Sequence, residues 1–257
     1  MGQSDHMPRR PWRPLHHHLS AADERFGLRL GAGVVGMFTA SAAFVLLLLL
    51  VRSGWPPLRD LDANAAQAAQ RIDGSHPGVV RAAETVSNVF DPNVFRVVLG
   101  LIAVMYLVRG ERRHAVWLLV TVFGGAALGV ALKVLVGRAR PALPDPVSPA
   151  PGGMSFPSGH ALGATIGCCL LLLLTLRLLP RRGRIAAILA AVLVVGVVAL
   201  ARVVLGVHFV SDVLAGITLG IAWVAVTTWA YVAWRRETAQ PVARAAEVGS
   251  AEQPARR

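Results

Sequence analysis

The chain has 257 residues, of which 54% are hydrophobic and only 16% are charged, and its formal net charge is +12. An ordinary soluble domain carries about 25% charged residues, and the apolar residues here fall in runs of roughly 20, the length at which a helix crosses a bilayer. The composition excludes an ordinary soluble enzyme and predicts an integral membrane protein. The arginines cluster between the apolar runs, which is typical of cytoplasmic membrane loops and not of a nucleic-acid-binding domain. We therefore expect the bilayer and its anionic lipids as partners, and no nucleic acid.

Six apolar segments follow one another along the chain. Backbone N–H and C=O groups inside a bilayer must be hydrogen-bonded within their own segment, so each segment is expected to be a helix. The prediction is an all-α fold, a six-span transmembrane helix bundle. The predicted spans are 30–51, 94–108, 115–136, 161–179, 185–205 and 213–234, the second of which is short and is expected to start earlier.

Arginine placement predicts the orientation of this bundle. Basic clusters occur before the first span, after the second, after the fourth and after the sixth. With six spans these four regions lie on one side, and the positive-inside rule places that side in the cytoplasm. The chain is accordingly divided into a cytoplasmic basic arm (1–29), a membrane domain (30–237) and a disordered cytoplasmic tail (238–257), in the inner or plasma membrane of the cell.

Three loops are then predicted on the outer face. The first, 52–93, mixes acidic and basic residues, and its Ala- and Gln-rich middle is expected to form an amphipathic helix on the membrane surface. The second, 137–160, and the third, 202–212, are shorter. Three polar clusters lie in these two loops and at the span ends that flank them, so the chemistry is predicted to face outward.

The first cluster contains Lys133, Arg138 and Arg140-Pro141. On a continuous helix Lys133 and Arg140 share one face about two turns apart, and Pro141 is expected to end that helix. A lone lysine near a span end usually extends to the interface, but two cations on one stripe favour a phosphate site. Arg138 is expected to point elsewhere, toward lipid headgroups.

The second cluster is Pro157-Ser158-Gly159-His160, at the start of the fourth span. Ser158 suits a helix N-cap, and Gly159 lets a ligand approach the backbone closely. A helix start offers free N–H groups and partial positive charge, which favour an anion. A plain capped helix start would account for Ser158 and Gly159, but it would not account for the titratable His160.

In the third cluster Arg202 ends the fifth span, and His208 and Asp212 are expected to open the sixth on one helical face. The i, i+4 spacing of His208 and Asp212 allows the two side chains to meet. A carboxylate on one ring nitrogen fixes the tautomer and leaves the other nitrogen free to act. Such a pair is often only structural, and it gains significance here from the cations around it.

In order and internal spacing, the three clusters resemble the signature of the type 2 phosphatidic acid phosphatase family. That signature is a lysine, six residues and Arg-Pro; then Pro-Ser-Gly-His; then Ser-Arg, five residues, His, three residues and Asp. The matching stretches are Lys133 to Pro141, Pro157 to His160, and Ala201 to Asp212. Ala201 replaces the serine of the family, whose hydroxyl is expected to bond a phosphate oxygen, so we expect one phosphate donor to be missing.

The resemblance implies a membrane lipid phosphatase that needs no metal and no other cofactor. In the mechanism it implies, His208 attacks phosphorus to form a phosphohistidine and Asp212 orients it. His160 protonates the leaving oxygen and then activates water. The implied phosphate-binding residues are Lys133, Arg140, Ser158, Gly159 and Arg202.

The implied substrate is a lipid phosphomonoester or diphosphate, hydrolysed at the outer face. Undecaprenyl or another polyprenyl diphosphate is favoured, with phosphatidic acid or phosphatidylglycerol phosphate as the alternative. A non-catalytic lipid-phosphate binder or transporter would keep the cations but would not need both His160 and His208. A vanadate-dependent haloperoxidase has a similar anion site, but those enzymes are soluble. The sequence predicts no oligomeric state.

Overall fold

The computed structural model describes residues 21–142 and 152–237, so most of the predicted basic arm and all of the predicted tail lie outside the described residues. The described residues form α-helices and no strand, which confirms the all-α class. In chain order the helices are α1 (Ala21–Ser53), α2 (Pro56–Ser75), α3 (Pro77–Val89), α4 (Pro92–Val108), α5 (Arg112–Val136), α6 (Gly159–Thr175), α7 (Arg181–Val204) and α8 (Val210–Glu237).

Five helical segments among the described residues are long and apolar enough to cross a membrane. They are Gly33–Ser53, Pro77–Val108 (which runs through α3 and α4), Arg112–Val136, Arg181–Val204 and Val210–Arg235. The predicted fourth span, α6, is apolar but has only 17 residues. Many large apolar side chains on these helices are exposed, as lipid-facing side chains are. The chain is a multi-pass membrane protein.

The first predicted outer loop contains the two helices α2 and α3. Each begins at a proline in its first turn, where the missing N–H costs no hydrogen bond. The Ala- and Gln-rich middle of the loop is helical, as predicted. Asp62 of α2 is only 2% exposed and reaches the start of α8. The loop therefore contributes a buried carboxylate to the interior of the protein.

Small residues let α8 pack closely on α6. A Cβ atom on Gly216 would lie 2.6 Å from the carbonyl oxygen of Ser158, and one on Gly220 would lie 2.9 Å from the side chain of Thr165. Glycines four apart on one face allow two membrane helices to approach in this way. The N–H of Ser158 also donates to the carbonyl oxygen of Asp212 at 2.9 Å. The starts of α6 and α8 are thus held side by side.

Candidate active site

The three predicted clusters meet where α5 and α7 end and where α6 and α8 begin. Lys133 lies close enough to Arg140, Arg202 and Asp212 for their charges to act on it. His160 is likewise close enough to Lys133, Arg202 and His208 to interact with them electrostatically. The structure therefore brings the clusters into one site at one end of the bundle.

His208 lies in the turn before α8, and both of its ring nitrogens have partners. Its Nδ1 is 3.5 Å from Oδ2 of Asp212, slightly longer than an ordinary hydrogen bond. Its Nε2 is 3.2 Å from Nη1 of Arg140. With Nδ1 protonated toward the carboxylate, the lone pair of Nε2 faces the Arg140 guanidinium. A phosphate held by Arg140 would meet that lone pair.

Burial lowers the pKa of His208 to about 4, although the hydrogen bond to Asp212 and its negative charge act in the opposite direction. The positive charges of Arg140 and Arg202 lower the pKa of His208 further. Burial also lowers the pKa of Arg140, whose guanidinium nevertheless keeps its charge at neutral pH. At neutral pH the site therefore holds a neutral imidazole beside a cation, the states that nucleophilic attack on a phosphate requires.

Asp212 is fully buried and accepts hydrogen bonds from several donors. Its Oδ2 accepts the backbone N–H of Phe209 at 3.0 Å and a short hydrogen bond from the hydroxyl of Ser155. Its Oδ1 accepts from Nη1 of Arg138 at 2.7 Å. A carboxylate with this many donors stays ionised and fixed in place, which suits a residue that orients His208.

The prediction that Arg138 points toward lipid headgroups was wrong. Besides its bond to Asp212, Arg138 forms an ion pair of 2.7 Å between Nη2 and Oδ2 of Asp62. Its guanidinium also stacks on the ring of Phe209 at 4.2 Å from the centroid. Two buried carboxylates attract the guanidinium inward, because an unpaired buried charge is costly.

Asp62 completes this network from α2. One of its oxygens accepts from Arg138 and from the hydroxyl of Ser211, and the other accepts the backbone N–H of Ser211 at 3.0 Å. The carboxylate thus satisfies a free N–H group at the start of α8 and also offsets the charge of Arg138. The series of contacts from Asp62 through Arg138 and Asp212 to His208 links α2 to the site.

The prediction that Lys133 and Arg140 share one helix face was wrong. Gly137 adopts a left-handed conformation (φ 64°) and ends α5 after Val136, well before Pro141. A glycine in this conformation is a common helix stop. Arg140 lies beyond this stop, where Nη1 donates to the carbonyl oxygen of Val207 at 2.8 Å, and Nζ of Lys133 donates to that of Met154 at 2.8 Å.

Two buried polar atoms in the site, the hydroxyl of Ser158 and Nε of Arg202, have no hydrogen-bond partner among the described residues. Arg202 is 6% exposed, and its Nη1 donates to the hydroxyl of Ser87 on α3 at 2.7 Å. Ser158 occupies the N-cap position as predicted, but its side chain makes no capping bond. A phosphate oxygen would satisfy both atoms, which are otherwise costly to bury. A Cβ on Gly159 would meet no atom of residues 21–142 and 152–237 within 4 Å, so this part of the structure leaves the space beside its backbone open.

His160 is paired with an acidic residue that the sequence analysis did not single out. Its Nε2 is 3.3 Å from Oδ2 of Asp91, the N-cap of α4. The other oxygen of Asp91 accepts the backbone N–H of Asn93 at 2.7 Å. The contact leaves Nδ1 of His160 available for a ligand. The site thus contains two His–Asp pairs, one at the start of α8 and one between the starts of α6 and α4.

Ala201 packs in an apolar cluster with Val80 and Ala83 of α3 and with Leu205 and Val207. The methyl group of Ala201 is apolar, like the side chains that it contacts. The expected loss of a phosphate donor at this position stays a prediction.

An apolar cavity of about 170 Å³ opens between α4, α5 and α6, next to Lys133 and Gly159. Its remaining walls are mostly apolar side chains and glycines, among them Phe95, Leu162 and Ile166. The cavity joins the cationic site to the hydrophobic flank of the bundle. Among the described residues, no group of three or more His, Cys, Asp or Glu is arranged to hold a metal ion.

Comparison with known proteins agrees with the motifs. The sequence profile of the PAP2 superfamily matches residues 114–236. Decaprenylphosphoryl-5-phosphoribose phosphatase of Mycobacterium tuberculosis is 32% identical over 157 residues, which cover 60% of this chain and 81% of that protein. The chain belongs to the PAP2 superfamily. The resemblance found from the sequence motifs is thereby confirmed.

Other relatives of this PAP2 protein are also phosphatases. The Mycolicibacterium smegmatis decaprenylphosphoryl-5-phosphoribose phosphatase is 32% identical, over 58% of this chain and 77% of that protein. Phosphatidylglycerophosphatase B of Bacillus subtilis is 36% identical, over 40% of this chain and 52% of that protein. The prediction of a phosphatase is confirmed by this family membership.

A solved structure shares the fold. It is the crystal structure of a transmembrane PAP2-type phosphatidylglycerolphosphate phosphatase from Bacillus subtilis. It matches 75% of this chain and 94% of its own, with a TM-score of 0.65 and 23% sequence identity. The helix arrangement is therefore that of a transmembrane PAP2 protein.

Proposed function

We propose that this protein removes the terminal phosphate from a lipid headgroup, and that a polyprenyl-linked phosphosugar of the decaprenylphosphoryl-5-phosphoribose type is its first candidate substrate. The observation that carries the reaction is the position of His208, whose Nε2 faces Arg140 while Nδ1 faces Asp212. The names of the mycobacterial relatives support the choice of a phosphoribose headgroup. Undecaprenyl diphosphate, favoured from the sequence, belongs to the same class of prenyl phosphates.

Phosphatidylglycerol phosphate is a second candidate, because both the Bacillus subtilis relative and the solved Bacillus subtilis structure are named for it. In either case the cavity between α4, α5 and α6 accommodates the first part of the lipid tail. Its apolar walls suit a hydrocarbon chain, and Lys133 and Gly159 mark the end at which the phosphate binds.

In the first step, Nε2 of His208 attacks phosphorus and the P–O bond to the headgroup breaks. Nδ1–H of His160 gives its proton to the departing oxygen, while Asp91 holds Nε2–H of the same ring. Asp212 stabilises the positive charge that His208 acquires. Lys133, Arg140 and Arg202 stabilise the charge on the phosphoryl oxygens, together with Ser158 and the N–H of Gly159. The product is a phosphohistidine and a free alcohol.

In the second step, Nδ1 of His160 takes a proton from water as the water oxygen attacks phosphorus. The P–N bond to His208 breaks, its electron pair returns to Nε2, and inorganic phosphate leaves. Both histidines then have their starting protonation states. Three fixed cations offset the charge of the transferring group throughout.

The proposed topology has six spans, with α6 as the shortest. Its 17 residues lie at the lower limit of about 17 for a spanning helix. The arginine clusters support a topology with the arm (1–29) and the tail (238–257) in the cytoplasm and the site on the outer face. This topology suits a lipid substrate whose headgroup lies at the outer surface of the membrane.

Asp91→Asn is expected to impair the proton donor specifically. The carboxylate favours the protonated form of His160, so its loss leaves a smaller fraction of His160 with the proton that a poor leaving group needs. We expect kcat on a lipid alcohol phosphate to fall about 10- to 100-fold. On p-nitrophenyl phosphate, whose leaving group needs little proton assistance, the fall is expected to be under about threefold. Equal losses on both substrates would contradict the role of Asp91.

The proposed function is tested with purified protein in detergent, in the presence of EDTA. Phosphate release is measured from decaprenylphosphoryl-5-phosphoribose, undecaprenyl diphosphate, phosphatidylglycerol phosphate and phosphatidic acid. We expect metal-independent release, with the highest kcat/KM on the prenyl-linked phosphosugar. Release from none of the four lipids, by protein that remains folded, would refute the proposal.

A further inference from the structure

One cation near the site belongs to none of the motifs. The cavity between α4, α5 and α6 has two basic residues on its wall, Lys133 and Arg96. Lys133 is part of the proposed phosphate site, whereas Arg96 comes from α4. Almost all of the other lining residues are apolar or glycine. A second cation therefore lies along the same path that the substrate would occupy.

Arg96 is half-buried, and its Nη1 donates to the amide oxygen of Asn93 at 2.5 Å. No carboxylate lies within ion-pair distance of it among residues 21–142 and 152–237. A charge at the edge of an apolar cavity is costly without a counter-ion. An anionic ligand in the cavity would supply that counter-ion.

The backbone around Arg96 is held firmly against α6. A Cβ on Gly163 would lie 2.8 Å from the side chain of Pro92, and a Cβ on Gly167 would overlap the ring of Phe95. These glycines bring the first two turns of α4 into close contact with α6. The position of Arg96 on the cavity wall is thus fixed by packing.

We infer that Arg96 forms a second anion subsite, which binds a phosphodiester lying between the lipid tail and the terminal phosphate of the substrate. The inference rests on the proposed function and narrows its substrate class. Decaprenylphosphoryl-5-phosphoribose and phosphatidylglycerol phosphate both carry such an internal phosphodiester, whereas phosphatidic acid has a single phosphate next to its tail. Arginine binds phosphate oxygens well because its planar donors match them. Arg96 thereby favours lipids with two phosphates over lipids with one.

The test compares two substrates with identical tails, dioctanoyl phosphatidylglycerol phosphate and dioctanoyl phosphatidic acid. Arg96→Gln is expected to raise KM for the first about tenfold or more, the loss of one charged hydrogen bond, with kcat changed less than about twofold. KM for phosphatidic acid is expected to change less than about twofold. Arg96→Lys is expected to recover part of the lost preference for phosphatidylglycerol phosphate. Arg71→Gln, on the exposed face of α2, is expected to leave KM unchanged for both substrates.

The outcomes separate this inference from the proposed function. If wild-type protein hydrolyses both lipids and Arg96→Gln changes their KM values equally, or changes neither, the subsite is refuted and the phosphatase stands. If folded wild-type protein hydrolyses neither lipid nor any other in the panel, the proposed function fails and the subsite fails with it.

Discussion

Replacing His208 by glutamine is expected to lower kcat at least about 10⁴-fold, since loss of a nucleophile abolishes the covalent route. Glutamine keeps a similar length and an amide N–H for Asp212, so the buried carboxylate is not left without this partner. The protein is therefore expected to stay folded. Phosphate release from the preferred lipid measures the loss, and thermal unfolding in detergent measures the stability.

A matched control is available at the other end of the bundle. His114 lies at the start of α5, where its Nδ1 is 2.9 Å from Glu111. His114→Gln removes an imidazole far from Lys133, at the opposite end of the same helix, and it is expected to change kcat less than about threefold. Appreciable turnover by His208→Gln, or a comparable loss in His114→Gln, would contradict the role of His208.

Arg138→Gln is expected to lower kcat about 10²- to 10³-fold, although the proposed mechanism gives Arg138 no direct contact with the substrate. The variant leaves two buried carboxylates, Asp62 and Asp212, without the cation between them. Asp212 then tends to bind a proton and ceases to orient His208. Loss of one partner of a buried ion pair costs about 3–5 kcal/mol, so the free energy of unfolding is also expected to fall.

A double-mutant cycle distinguishes positioning from general destabilisation. If Arg138 acts through Asp212, kcat of Arg138→Gln/Asp212→Asn is expected to be no lower than that of Asp212→Asn alone. The measurement is made below the unfolding temperature of every variant. Additive losses in kcat would show that Arg138 acts by another route. Arg71→Gln serves as the control for loss of an arginine.

The features of this protein that could be predicted from the sequence are those that depend on neighbouring residues, such as apolar segments and short motifs. The six apolar segments correspond to helices of the structure, because hydrophobicity and helix formation are both properties of neighbouring residues. The clusters around Lys133, Ser158 and His208 were found because each is short and contiguous. That His208 meets Asp212 followed from a spacing of four, even though His208 lies before the helix.

The parts that could not be predicted depend on contacts between distant segments. Asp62 and Arg138 form a hydrogen bond although they are 76 residues apart in the sequence. Ser155 and Asp212, which also form one, are 57 residues apart. Nothing near Asp62 in the sequence distinguishes it from the other acidic residues of its loop. Asp91 gave a stronger signal, because an aspartate before a proline marks a helix start. That signal predicts the N-cap but not the contact with His160.

The end of α5 contains two helix-stop signals, Gly137 and Pro141, and the earlier one ends the helix. Pro141 predicts a helix stop, and a helix extending to it would align Lys133 with Arg140. Gly137 stops the helix earlier, because glycine adopts the left-handed conformation at little cost. The four residues after the stop let Arg138 and Arg140 turn separately, one toward Asp212 and the other toward His208.

The central claim is that Nε2 of His208 becomes bonded to phosphorus during turnover. The most direct test is to mix the protein with p-nitrophenyl phosphate, quench in alkali within milliseconds, and map the phosphorylated peptide by mass spectrometry. His160→Gln is used beside wild type, because slow attack by water lets the intermediate accumulate. The account predicts a phosphohistidine at His208 in burst amounts in that variant. A phosphate attached to another residue, or a burst of p-nitrophenol with unmodified His208, would contradict it.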